Sequence, residues 1–296
     1  MPNTSANGIR IEYDSFGERG GEPILLVMGL GGQMLLWDEE FCQRLADRDH
    51  YVVRYDNRDV GLSTHFDAHG LPNLPQLMMD AAAGRPLSVA YTLDDMADDA
   101  IGLCDALELE RVHVVGASMG GMIAQTIAYR HPARLRSLVS IMSSTGAPHL
   151  PQAKPELIAR LAGPPPVGRE ATIEAGVEMW RMISGSGYPF DEELVRERSG
   201  VMYDRAHHPE GQARQLAAIL AHGDRSPRLA SVRAPTLVIH GEDDPLVPVE
   251  GGKHTAESIP DAELLLVPGM GHDLPRPLYG KLVDAISSHV EKASAA

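Results

Sequence analysis

Arg111-Val112-His113-Val114-Val115-Gly116-Ala117-Ser118-Met119-Gly120 reads as a short apolar strand that turns sharply and opens into a helix. Residues 111–115 are largely β-branched, the composition of a buried strand. The Gly-X-Ser-X-Gly pattern around Ser118 then forces the serine into a strained backbone conformation, and side chains at 116 or 120 would collide with neighbouring backbone. From Met119 the chain is helical to about Arg130, and Pro132 stops it. A serine on such a turn projects past the carboxyl end of its strand, beside the positive end of the helix. A glycine turn with a serine N-cap is common in α/β chains, so the rest of the sequence must separate a nucleophile from an ordinary cap.

Working outward, strand-like and helix-like stretches alternate. Ile9 to Tyr13 alternates weakly and reads as a first strand, and Pro23 to Met28 is a continuous apolar run ended by glycines. Trp37, Phe41 and Leu45 recur every four residues, as on an amphipathic helix, before a strand from Tyr51 to Tyr55. An irregular, proline-containing stretch follows. Thr92 then reads as an N-cap with Asp95 three residues on, opening a helix whose apolar face carries Met96, Ala100, Leu103, Cys104 and Leu107. Leu135 to Met142, Pro235 to His240 and Ala262 to Val267 read as further strands, with a last helix from about Leu278 to Val290. This order predicts a mainly parallel sheet wrapped by helices. Residues 146–229 interrupt it with a proline-rich start and helix-like sections at Thr172–Ile183, Glu192–Tyr203 and Gln212–Ala221. The expected organisation is a core of residues 1–145 and 230–296 with an inserted helical cap over 146–229.

The chain has 296 residues, 43% of them hydrophobic and 23% charged, enough for one large α/β domain with an insertion. Its formal charge of −15 repels nucleic acid and anionic lipid, so neither is expected as a partner. Cys42 and Cys104 each fall on the apolar side of a predicted helix and are expected as buried free thiols. No apolar run approaches the roughly 20 residues of a membrane span, and the first ten residues lack a signal-peptide pattern. The expected location is cytoplasmic.

A serine hydroxyl needs a base, and the base needs a carboxylate to orient it. Two loops downstream of Ser118 supply such groups in the order acid, then histidine. Gly241-Glu242-Asp243-Asp244-Pro245 follows one strand, and Pro268-Gly269-Met270-Gly271-His272 follows the next. His272 is the expected base among 13 histidines. His240 precedes the acid and is expected in a structural or pocket-edge role, His113 as a satisfied core or surface residue, and His207-His208 as a solvated pair with no metal. Asp244 is favoured as the acid over Asp243, with Glu242 and Asp56 behind them. Charge on a substrate carbonyl oxygen calls for backbone N–H donors. Met119 N–H offers one; the Gly29-Leu30-Gly31-Gly32 loop offers the other, expected at Leu30. The same loop imitates a dinucleotide fingerprint with Asp56 as its acid, but Met34 stands where the third glycine belongs. No cofactor is expected.

Taken together, Val27 to Gly32, Tyr55 to Ser63, the serine turn, Gly241 to Pro248 and Gly269 to His272 resemble the α/β-hydrolase family across essentially the whole chain. The resemblance implies an eight-stranded, mainly parallel sheet and roles of nucleophile, acid and base for Ser118, Asp244 and His272. Met28-Gly29 stands where many relatives have His-Gly, which bears on pocket polarity because the donors are backbone groups. The stretch Trp180 to Asp191 is similar to carboxylesterases of the aclacinomycin methylesterase type, which implies a small-molecule ester as substrate. Met28, Gly29, Met179, Trp180, Ile183 and Tyr188 are the expected substrate contacts, with Met182 and Phe190 also available to an apolar wall. Arg181 fits either a substrate contact or a salt bridge. Lactonase, perhydrolase or haloperoxidase and carbon–carbon bond hydrolase activities use the same three groups and stay open, as does a receptor with little turnover.

Overall fold

The computed structural model describes residues 1–295. Strands β1 (Asn3–Ala6), β2 (Ile9–Phe16), β3 (Glu22–Val27), β4 (His50–Tyr55), β5 (Val112–Ala117), β6 (Leu135–Ile141), β7 (Thr236–Gly241) and β8 (Glu263–Val267) form one sheet in the order β1-β2-β4-β3-β5-β6-β7-β8. β1 and β2 pair antiparallel, and β2 runs antiparallel to β4; every pairing from β4 to β8 is parallel. The predicted fold class is therefore the observed one. β1 is the strand the sequence pattern does not reveal, because Asn3-Thr4-Ser5 is polar and half of it faces solvent.

Helices α1 (Glu39–Ala46), α2 (Leu74–Ala82), α3 (Leu93–Ala106) and α4 (Met119–Arg130) precede β6. Between β6 and β7 come α5 (Pro155–Ala162), α6 (Arg169–Ile183), α7 (Glu192–Arg205), α8 (Pro209–His222) and α9 (Ser226–Leu229). α10 (Val249–Ser258) links the last two strands and α11 (Tyr279–Ser294) ends the chain. α2 lies inside the stretch expected to be irregular. Its apolar residues Leu74 and Leu77 pack on Ala217 of α8, a tertiary contact that local pattern cannot announce.

Side chains of β3 alternate between two apolar layers, as the pleat requires. Leu25 and Val27 face α3 and α4, whereas Ile24 and Leu26 face α1 and α11. All four are essentially inaccessible, and burying each contributes about 1.5–3 kcal/mol. Cys42 and Cys104 sit in these layers as free thiols, and burial pushes both up to about 12, so neither is a nucleophile.

β3 connects onward to β4 on one side, while its other neighbour is β5. The loops leaving β3 and β5 therefore diverge, and an open α/β sheet has its crevice at such a point. The glycine loop after Val27 and the turn after Ala117 stand side by side there, fixed by the pairing of Val27 with Gly116.

The predicted start of α3 holds in detail: Thr92 accepts from Asp95 N–H, and the Asp95 carboxylate accepts from Thr92 N–H at 2.7 Å. Thr92→Ala is expected to cost about 1 kcal/mol of stability, read as a lower urea midpoint at unchanged slope.

Candidate active site

Ser118 stands at the N-cap of α4 with φ 57° and ψ −121°, a left-handed conformation that costs a non-glycine residue about 1–3 kcal/mol. Its surroundings hold it there. Ser118 N–H donates to Ile141 O at 2.9 Å, and its own carbonyl accepts from Ser143 Oγ at 2.8 Å and from the amides of Gly121 and Met122. A Cβ at Gly116 would run into Gly120 O, and one at Gly120 into Val27 O, so both glycines are sterically required.

His272 and Asp244 complete a line of hydrogen bonds from this serine. His272 Nε2 lies 2.9 Å from Ser118 Oγ, and His272 Nδ1 lies 2.7 Å from Asp244 Oδ2. Asp244 Oδ1 accepts from the amides of Leu246 and Val247 at 2.9 and 2.8 Å. Burial alone would raise the Asp244 carboxyl; the charge and hydrogen bonds of His272 and His240 outweigh it and bring the group down to about 2. A carboxylate at Nδ1 holds the proton on that nitrogen and leaves Nε2 free to accept from the serine. His240 donates from Nε2 to Val247 O at 2.8 Å, with Asp244 Oδ2 3.5 Å away, so it braces the acid loop from the edge of the site.

The glycine loop completes the arrangement. A Cβ at Gly29 would lie 3.0 Å from Ser118 Cβ, so the loop packs directly on the serine. Neither Leu30 N–H nor Met119 N–H donates to another group among the described residues. The Tyr55–Ser63 loop props the glycine loop from below. Asn57 Nδ2 donates to Met28 O at 2.9 Å, and Asp56 accepts from the amides of Met34 and Leu62. Asp56 is fully buried and also paired with Arg205, a loop anchor remote in role from a ribose ligand or a catalytic acid.

Asp243 points elsewhere: its carboxylate accepts from the amide and hydroxyl of Ser186, in the segment between β6 and β7. Residues 183–187 of that segment are fastened to the His272 loop. Ile183 O accepts from His272 N–H at 2.7 Å, and Gly269 O accepts from Gly187 N–H at 2.9 Å. Glycines at 185, 187, 269 and 271 let the two backbones touch. Asp273 is also at this seam. Burial raises its carboxyl, and its buried Oδ1 has no hydrogen-bond partner among the described residues. These contacts escape sequence reading because they join segments far apart in the chain; the repeated glycines on both sides are their one visible trace.

Of the expected substrate contacts, Gly29 lies against Ser118, Met28 is buried beside Gly32, and Ile183 is buried next to His272. Tyr188 packs on the α1–α11 layer, while Met179 and Trp180 are half-buried on α6. Arg181 pairs with Glu192 and stacks over Phe190, so it serves the insertion rather than a ligand. His113 is buried against Ser137. His208 stacks on His65 at 3.8 Å, with Asp67 close by. Arg214 donates to His208 Nε2, Asp59 and Asp67, so His208 is paired and mostly buried rather than solvated, and only His207 is exposed.

With this geometry in view, the comparisons give the class. A model of the alpha/beta hydrolase fold matches residues 22–275, and the chain belongs to that family. It is a hydrolase of this fold. Among similar proteins is rhodomycin D methylesterase DauP of Streptomyces sp. (strain C5), 29% identical over 310 residues that cover 95% of each chain. A 2-hydroxy-6-oxononadienedioate/2-hydroxy-6-oxononatrienedioate hydrolase of Paraburkholderia xenovorans (strain LB400) is 36% identical over 173 residues, covering 58% of this chain and 59% of that one. The solved meta-cleavage product hydrolase of Pseudomonas fluorescens IP01 shares the fold with a TM-score of 0.75 at 21% identity, over 99% of this chain and 98% of that one. No helix among the described residues is long and apolar enough to cross a membrane.

The depressed Asp244 carboxyl carries a pH signature. Its folded value, about 2, lies below the ordinary 3.8, so its stabilisation is present above pH 4 and lost as pH falls through 2. Urea titrations from pH 5 to 2 should show the wild type losing about 2 kcal/mol that Asp244→Asn does not lose.

Proposed function

We propose that the protein is a serine carboxylesterase that cleaves small to medium, largely apolar esters through an acyl-enzyme, without a cofactor. The observation that carries this reading is the unbroken hydrogen-bond line from Asp244 through His272 to Ser118, ending beside two unpaired backbone amides. Ser118 Oγ attacks the ester carbonyl carbon as its proton passes to His272 Nε2, and Asp244 stabilises the resulting imidazolium. The carbonyl oxygen, now negative, accepts from Leu30 and Met119 N–H, each such donor supplying roughly 3–4 kcal/mol to the transition state. His272 returns the proton to the departing alkoxide. Water then enters, gives a proton to His272 and attacks the acyl carbon; His272 passes that proton to Ser118 Oγ as the acid leaves, restoring both groups.

The methylesterase relative, aligned over nearly its whole length, favours an ester over the 2-hydroxy-6-oxononadienedioate or 2-hydroxy-6-oxononatrienedioate substrate named for the Paraburkholderia relative, which aligns over little more than half. In this reading residues 146–229 form a cap whose Met179, Trp180, Ile183 and Tyr188 contribute an apolar wall with Met28 and Gly29. Methionine suits a wall that adapts to varied acyl and alcohol shapes.

Hydrolysis of p-nitrophenyl butyrate tests the proposal. Ser118→Ala should lose about 10⁴-fold or more in kcat/KM, and equal turnover by the two proteins would remove the esterase reading. Stoichiometric binding with negligible turnover would favour a receptor. Asp244→Asn should lose about 10⁴-fold, as expected when the histidine tautomer is released, whereas Asp243→Asn should stay within about threefold of wild type. The reverse order would move the acid to Asp243.

A further inference from the structure

The glycine loop is held from above as well as from below. Gln215 of α8 is fully buried, and its two amide atoms are both used. Its Oε1 accepts from Gly31 N–H at 2.8 Å, and its Nε2 donates to Arg58 O at 2.8 Å. Gln212, one turn earlier on the same face, lies so close to Gly31 that a Cβ there would sit 2.7 Å from Gln212 Oε1. Gly31 itself has φ 65°, a conformation open to glycine at little cost. Gln33 Nε2 adds bonds to Met202 O and Ala206 O at the end of α7, and Gln33 Oε1 accepts from Arg205.

Gly31 N–H is the amide immediately after Leu30 N–H. A peptide plane is rigid, so holding Gly31 N–H orients the plane between residues 30 and 31 and, with the 29–30 plane held through Gly29 O, restrains the ψ rotation at Leu30. The Gly32 N–H to Gly29 O bond at 3.1 Å closes the turn on the other side. Leu30 N–H, the one amide between these two restraints without a partner, is thereby aimed by its neighbours.

We propose that Gln215 is a positioning residue for the oxyanion pocket: from the inserted α8 it locks Gly31 N–H, and so sets the direction of Leu30 N–H toward the carbonyl oxygen above Ser118. The proposal rests on the esterase reading above and deepens it. It also distinguishes two amides that look alike in sequence. Leu30 N–H is free for the substrate, while Gly31 N–H is consumed in holding the loop. A donor misaimed in the transition state lowers kcat and leaves ground-state binding nearly untouched.

The test uses three variants of the full chain. Gln215→Met keeps the volume and removes both hydrogen bonds. Gln215→Asn keeps an amide but withdraws it by one methylene from Gly31. Gln215→Glu, held protonated by burial, keeps an acceptor for Gly31 and a donor for Arg58 O. Wild type is first labelled with a fluorophosphonate, located by mass spectrometry, and assayed with p-nitrophenyl butyrate. Failure of both labelling at Ser118 and turnover would defeat the esterase reading itself, and this proposal with it. Given both, Gln215→Met and Gln215→Asn should each lose about 10–100-fold in kcat with KM within about twofold. Each should weaken binding of a trifluoromethyl ketone by a similar factor, and Gln215→Glu should recover most of the loss. Wild-type kcat and ketone affinity in whichever of the first two variants folds would overturn the proposal. So would a change confined to KM, which would make Gln215 a substrate contact.

Discussion

The site depends on one close approach: the turn carrying Ser118 presses against the end of β3 with no side chain between them. Gly120 meets Val27 O, Gly116 meets Gly120 O, and Gly29 meets Ser118. The adjacency of β3 and β5 brings these backbones together, and three glycines allow the contact. The strained φ and ψ of Ser118 follow from it, because the chain must reverse between strand and helix within one residue. Strain of this size persists only where the surroundings over-determine it. Here the bonds of Ser118 N–H and O to β6 and its following loop do so.

A second constraint is electrostatic. Asp244 is buried, yet held as a carboxylate, because the charge and hydrogen bonds of His272 and His240 outweigh its desolvation, while two backbone amides fix its other oxygen. Removing any one partner would leave a buried charge short of compensation. The backbone donors are therefore as much a part of the site as the imidazole. They also fix Asp244 against His272 while Asp243, one residue away, faces out toward Ser186: successive side chains in the loop cannot both reach His272.

What was legible in the sequence follows from how local each signal is. The serine turn, the capped start of α3 and the buried strands are dictated within a few residues, and the structure has them close to their expected bounds. The order of acid and histidine loops was legible because each directly follows an apolar strand. β1 and α2 escaped because their places rest on partners: polar β1 pairs with β2, and α2 packs on α8. The same holds within the site. Gln215 is one polar residue on a helix of ordinary composition, and only the fold brings it to Gly31, 184 positions away in sequence.

Both non-serine halves of the site touch the insertion. Gln215 and Gln33 tie the glycine loop to α7 and α8; Ile183, Gly187 and Ser186 tie the loops of His272 and Asp243 to the end of α6 and the segment after it. A segment so engaged has limited freedom to swing as one body, since the same bonds that dock it also hold the base and the glycine loop in place. Its capacity to vary is correspondingly local. Backbone contacts such as Ile183 O to His272 N–H tolerate changes of side chain, and half-buried positions on α6 such as Met179 and Trp180 make none of the docking bonds. Substitutions there leave the backbone bonds that hold the His272 loop and the glycine loop intact.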